Sequence, residues 1–175
     1  MKNKKTLALI TYLFFPIINS YASDGSVKYF GNIIDATCTI DTASSNLDPD
    51  LGSVGVNALN GAAGTTASQT RFDISLSNCP ASINEVAIRF DGVTDQINPS
   101  ILKLNGTLPI ADGVGVALYE QNGVTQIPVS MQSDTKPISA NGDATLTFYA
   151  KYMSTKSVVT GGSGNATSDF TISYY

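Results

Sequence analysis

The chain has no histidine and no tryptophan, only two cysteines, and a charged fraction of 14% in 175 residues. Each shortage excludes something. Without histidine, neither a Ser-His-Asp nor a Cys-His catalytic arrangement can form. Two cysteines alone fall short of a zinc set, so no metal site and no cofactor are expected. Without tryptophan the domain is not of the antibody type. Fourteen carboxylates could supply a pair for glycoside hydrolysis, but no spacing singles out two of them. Most fall on turns or outward strand positions, where a solvated surface is the plainer reading. Gly113 and Gly115 lack the strand–loop–helix context of a nucleotide site. The chain is therefore expected not to be an enzyme and to have no small-molecule substrate. The sequons Asn105-Gly-Thr107 and Asn165-Ala-Thr167 are short enough to arise by chance.

Long apolar runs are also scarce. Leu7 to Ile18 is mostly apolar, but it is short and broken by Pro16, so it is not read as a membrane span. Preceded by Lys2, Lys4 and Lys5 and followed by Ser20-Tyr21-Ala22, it reads as a secretory signal peptide, residues 1–22, cut after Ala22. Removing 22 of 175 residues leaves 153, enough for one domain with a real core. The three lysines leave with the leader, taking the net charge from −4 to −7. That balance argues against nucleic acid or an anionic membrane as partner. In an exported chain Cys38 and Cys79 are read as one disulfide, worth roughly 4 kcal/mol for a loop of about 40 residues.

What the chain does have is period-2 alternation. The last stretch is the clearest: Phe170, Ile172 and Tyr174 share one face, Thr171, Ser173 and Tyr175 the other, as in a half-buried strand. At the start two alternations overlap. Val27, Tyr29, Gly31 and Ile33 lie on one face; Ile34, Ala36, Cys38 and Ile40 lie on the other. One strand cannot bury both sets in one core, because a slip of one residue exchanges its faces. Either a bulge lies near Ile33–Ile34, or the two halves serve different cores. Between these ends, residues 41–69 read as loop with one or two short edge strands around Leu51–Val56. Strands are then expected through Phe72–Leu76, Val86–Phe90, Val114–Leu118, Ile127–Met131 and Leu146–Tyr152, with residues 93–112 irregular but holding a short apolar patch at Ile101–Leu104. Turn signals separate them, and Gln121-Asn122-Gly123 makes a hairpin of two. About seven strands and no convincing helix indicate an antiparallel immunoglobulin-like sandwich.

Several of these stretches, in order, resemble the subunits of bacterial chaperone–usher pili of the type 1 and P pilus kind. They are GSVKYFGNIIDATC with Gly31 and Cys38, LSNCP around Cys79, DGVGVALYEQNG at 112–123, and LTFYAKY at 146–152. The ending is the most specific: Gly162, the fourteenth residue counted back from the C-terminus, then Phe170, Ile172 and the penultimate Tyr174. The resemblance implies an immunoglobulin-like sandwich of six strands that lacks its seventh. It implies that a periplasmic chaperone lends a strand to the open groove, and that a neighbouring subunit's N-terminal extension later replaces it. Chaperone–pilin exchange of this kind is a known instance of β-strand addition.

On that basis residues 23–33 are a donor-strand extension carrying Val27, Tyr29, Gly31 and Ile33, and 34–175 are the pilin domain. Gly162, Phe170, Ile172, Tyr174 and Tyr175 form the groove and chaperone-binding strand, with the Tyr175 carboxylate gripped by basic chaperone residues. Export through an outer-membrane usher to the cell-surface fimbrium, in support of adhesion, is implied too. The extension is short, which resembles minor tip or adaptor subunits. The alternative is a self-complete secreted immunoglobulin-like module that binds carbohydrate through its loops at 91–112. It requires Val27–Ile33 to pack in the chain's own core.

Overall fold

The alternating runs become strands, and their apolar positions meet in one interior. The structure, a computed structural model, describes residues 26–31, 33, 37–45 and 47–175. The expected leader 1–22, and Ile34 and Ala36 of the second alternation, lie outside the described residues. The chain divides between Ile33 and Ile34 into two units. In the first, the described residues carry no strand.

The second unit is a two-sheet sandwich. Its long strands are β2 (Thr66–Ser77), β3 (Glu85–Gly92), β5 (Val114–Tyr119), β8 (Ala144–Ser154) and β9 (Ser168–Tyr174). Two-residue strands complete it: β1 (Thr39–Ile40), β4 (Leu102–Lys103), β6 (Gln126–Ile127) and β7 (Lys136–Pro137). One sheet runs β1-β2-β8-β5-β4, with β6 also on β5; the other runs β7-β3-β9. All named pairings are antiparallel. Among the described residues helix is confined to one turn at Thr42–Ser45 and a 3-10 turn at Val56–Ala58.

The sheets are joined by an aromatic trio. Phe72 of β2 and Phe148 of β8, register partners in one sheet, meet Phe90 of β3 in the other. Ring centroids lie 5.7 Å apart for Phe72–Phe148, 5.9 Å for Phe72–Phe90 and 5.1 Å for Phe90–Phe148. The two contacts that cross between sheets are edge-on, the geometry aromatic quadrupoles favour. Ile74, Leu76, Val86, Ile88, Val116, Leu118 and Leu146 fill the interior around them. A disulfide joins Cys38 to Cys79, fastening the start of β1 to the end of β2, where Thr39 pairs Ser77.

Four local expectations need correction. No strand forms around Leu51–Val56. The backbone carbonyls there are taken by side chains instead: Ser68 Oγ donates to Leu51 O, and Thr70 Oγ1 to Asp50 O at 3.0 Å. Ser68 can reach because it sits in a break of the β2–β8 register with a φ of 58°. The expected strand Ile127–Met131 ends at Ile127, because after Pro128 the chain leaves β5 for the other sheet. There Ser130 N donates to Phe90 O and Ser133 N to Ile88 O, both at 2.8 Å; Met131 is left exposed. Ile40 faces inward opposite buried Leu76, yet stays 37% exposed, since β1 is the edge strand and no strand lies beyond it among the described residues.

The fourth correction concerns residues 93–112, which are more than irregular loop. Ile101 packs on the outer face of its sheet against Ala117, Tyr119 and Met153, a small second core. All six residues of β5 are consequently buried.

The trio sets the first prediction. Phe148→Ala should lower unfolding stability by about 3–5 kcal/mol, the usual cost of emptying a buried aromatic site. Denaturant unfolding checks this, and a loss below about 1 kcal/mol, typical of surface changes, would contradict the assigned core.

Candidate functional site

Among the described residues strand β9 has one neighbour. It pairs with β3 from Val86↔Tyr174 through Ile88↔Ile172 and Phe90↔Phe170 to Gly92↔Ser168. Among the described residues no strand pairs its other edge. Paired residues in an antiparallel ladder project to the same face, so both rows address the same interior. Val86, Ile88 and Phe90 are at most 3% exposed, whereas Phe170, Ile172 and Tyr174 are only half-buried. The difference lies in what stands beyond each strand: β3 has β7 and β9 on its two sides, whereas β9 has no strand on its outer side among the described residues.

The ladder continues past β9. Tyr175 N donates to Glu85 O at 2.9 Å, and the Tyr175 main-chain oxygen accepts from the N–H groups of Asn84 at 2.6 Å and Glu85 at 3.1 Å. The Tyr175 hydroxyl accepts from Gln132 Nε2 at 2.6 Å. Tyr175 is thus held by the chain itself and points out of the interior, 54% exposed.

A second set of half-buried apolar residues, Leu47, Leu51 and Val54, packs against the same core. They belong to the segment that Ser68 and Thr70 tether. Between residues 52–56 of that segment and residues 159–165, just before β9, lies a pocket of about 440 Å³. Leu59, Leu104, Val114 and Tyr152 form its apolar lining. Burial, and more weakly the charge of Asp50, push the Tyr152 phenol above its ordinary pKa.

Gly162 is not part of β9. It sits in the strap that leads into it, pressed on residues 109–111. A Cβ there would lie 2.5 Å from Ala111 N and Ile110 C and 2.6 Å from Pro109 O. Ser163 N donates to Pro109 O at 2.8 Å, and Ala111 N to Ser163 O at 3.1 Å, so only glycine lets the two backbones pair this closely. Lys156 ties the strap again, 2.6 Å from Asp112. The hydrogen bond from Lys156 holds the Asp112 carboxyl below its ordinary pKa.

Of the other predicted residues, Val27, Tyr29 and Ile33 are 73%, 89% and 101% exposed, and among the described residues no atom lies within 4 Å of a Cβ on Gly31. A further hollow of about 360 Å³ lies between Leu146–Phe148 of β8 and residues 120–122 and 134–136. There the Glu120 carboxylate accepts from Asp134 N at 2.8 Å, and burial raises its pKa. Among the described residues no group of three or more His, Cys, Asp or Glu could hold a metal ion. Sequence reasoning missed the wall made by Leu47, Leu51 and Val54. Its spacing follows no strand period, because side chains rather than a ladder hold that segment.

Comparison with known proteins agrees with this architecture. Residues 27–175 match the family model described as fimbrial protein. The chain is 34% identical to long polar fimbria protein A of Salmonella typhimurium, covering 87% of this chain and 85% of that protein. It is 35% identical to a type-1 fimbrial protein subunit of Serratia marcescens, covering 89% of each. Among solved structures, an antigen and type I fimbria protein of Burkholderia pseudomallei superposes with a TM-score of 0.60 at 36% identity, covering 81% of this chain and 91% of that one. The P pilus rod subunit PapA shares the fold, with a TM-score of 0.65 at 20% identity, over 80% of this chain and all of that one.

The strap sets the second prediction. Gly162→Ala should cost about 1–3 kcal/mol, the usual range for overpacking, because backbone must move to admit the methyl group. Unchanged denaturant midpoints for wild type and variant would show that the strap is not packed as described.

Proposed function

This chain belongs to the fimbrial protein family, and we propose that it assembles by donor-strand exchange. It is a structural subunit of a bacterial surface pilus that associates with other pilus subunits. The finer reading is that residues 23–33 of one copy enter the groove of a neighbour, while domain 34–175 offers its own groove to another strand. A periplasmic chaperone would fill the groove first, and an outer-membrane usher would pass the subunit to the fimbrium, where it supports adhesion. No catalytic step is part of this account.

The observation that carries the proposal is the burial step across sheet β7-β3-β9. Val86, Ile88 and Phe90 are covered; their partners Tyr174, Ile172 and Phe170 are not. An added strand would take the free backbone edge of β9 and cover that row. Val27 to Ile33 has the right dimensions, since its seven residues match the seven of β9, each about 20 Å when extended. Val27, Tyr29 and Ile33 would supply the apolar face. Each would contribute roughly 1.5–3 kcal/mol on full burial, before ordering costs. Ladder hydrogen bonds would add about 1 kcal/mol apiece. Gly31 would fall where the groove floor approaches the donor backbone. The self-complete carbohydrate-binding module is disfavoured, because it needs Val27–Ile33 in the chain's own core and Val27, Tyr29, Phe30 and Ile33 are exposed.

Two variants test the two sides of the exchange. Gly31→Val should weaken donation without unfolding its own domain, since Gly31 lies outside the unit that begins at Ile34. Fibre growth from chaperone-held subunits checks this, and wild-type polymerisation by the variant would refute the assignment. Tyr174→Ser should weaken the complex with the chaperone, measured by titration; an unchanged affinity would count against the groove.

A further inference from the structure

The sequence holds four Asn–Gly junctions: Asn60–Gly61, Asn105–Gly106, Asn122–Gly123 and Asn141–Gly142. Such junctions are prone to loss of the side-chain amide, because glycine has no Cβ to keep its nitrogen away from the preceding side-chain carbon. In three of them the glycine N–H is occupied. Gly61 N donates to Ser157 O at 2.9 Å, Gly123 N to Glu120 O at 2.8 Å, and Gly142 N to Ser139 O at 2.9 Å.

Side-chain and main-chain bonds add to the restraint. Asn60 Oδ1 accepts from Val159 N at 2.8 Å. Asn122 Oδ1 accepts from Val124 N and Thr125 N, both at 2.8 Å. Gly142 O also accepts from Cys79 N at 2.9 Å.

The fourth junction differs. Gly106 N–H makes no hydrogen bond among the described residues. Asn105 is exposed, and its carboxamide is held through Nδ2, which donates to Thr167 Oγ1 at 3.1 Å. Its side-chain carbonyl oxygen accepts no hydrogen bond among the described residues.

We propose that Asn105 is a site of spontaneous deamidation in the folded subunit, set apart from the three other Asn–Gly junctions by its unoccupied glycine N–H. Gly106 N, giving its proton to solvent base, bonds to Asn105 Cγ; the Cγ–Nδ2 bond breaks and ammonia leaves. The resulting five-membered imide is opened by water at either carbonyl. The products are aspartate, or isoaspartate with the backbone rerouted through Cβ. Nothing is oxidised or reduced.

The location gives the change a consequence. Asn105 N donates to Asn165 O at 2.7 Å, an antiparallel bridge, and Asn165 lines the 440 Å³ pocket. Isoaspartate inserts a methylene into the backbone at that bridge and adds a negative charge. The junction is also hard to replace. Gly106 has a φ of +115°, and a Cβ there would lie 2.5 Å from Ser163 Oγ. The close packing that seats the strap therefore also requires the labile glycine.

Timed incubation of the folded chain at mildly alkaline pH, followed by peptide mass mapping and isoaspartyl methyltransferase labelling, tests the proposal. Asn105 should convert about tenfold faster than Asn60, Asn122 and Asn141, because those sites must first break a backbone hydrogen bond. In denaturant the four rates should converge. Equal rates in the folded chain, or earlier conversion at any of the other three, would overturn it. Asn105→Gln should abolish the dominant isoaspartyl signal while leaving the native unfolding midpoint in place; persistence of that signal would equally overturn it.

Discussion

The outer edge of β9 governs the rest of this structure. A strand in water is stable when its backbone groups are paired and its apolar face is covered. β9 has each condition half met. One edge is bonded to β3 along its full length, and Phe170, Ile172 and Tyr174 touch the core without being enclosed by it. An open edge beside an apolar trough invites non-specific pairing, the hazard that natural sheets suppress with charge, proline or a covering segment. Here the exposed positions of β9 hold Asp169 and Thr171, but its inward row stays apolar. That combination suits a surface intended for another strand.

Other features keep the trough open instead of letting it collapse. The segment 47–56 is held to β2 by Ser68 and Thr70, through the carbonyls of Leu51 and Asp50. The strap before β9 is seated on residues 109–111 through the close approach at Gly162. Between them remains the pocket lined by Tyr152 and Val159. The Cys38–Cys79 bond anchors the start of the domain to β2, and the Phe72–Phe90–Phe148 trio locks the sheets together. The frame is thus well packed up to the row where the missing neighbour belongs.

Much of this was legible in the sequence, for a physical reason. Strands β2, β3, β8 and β9 turn mainly one face to the core, and β5 turns Val114, Val116 and Leu118 to it, so their apolar residues repeat every second position and announce both strand and orientation. The terminal run Phe170–Tyr174 was readable in the same way, down to which residues look inward. What escaped was held by contacts without a period. Leu47, Leu51 and Val54 are placed by hydroxyl-to-carbonyl bonds from Ser68 and Thr70, which no pattern of apolar spacing reveals. The departure of the chain at Pro128, which exposes Met131, depends on the edge of β3 being available to Ser130 and Ser133. Ile101 buries on the outer side of its sheet, where alternation predicts a solvated face. Ile40 obeys the alternation and remains exposed, because a periodic sequence shows which way a residue points but not whether anything stands opposite.

The most direct test of the account is denaturant unfolding of two chains side by side. One is the chain after removal of residues 1–22. The other has residues 25–36 joined after Tyr175 by a flexible linker, with the native N-terminal copy removed through Asn32. If the sandwich lacks a strand that this segment can supply, the second chain should be monomeric with a much higher unfolding midpoint, while the first aggregates. If the first is already monomeric and equally stable, the groove is not a vacancy in the fold and the account fails.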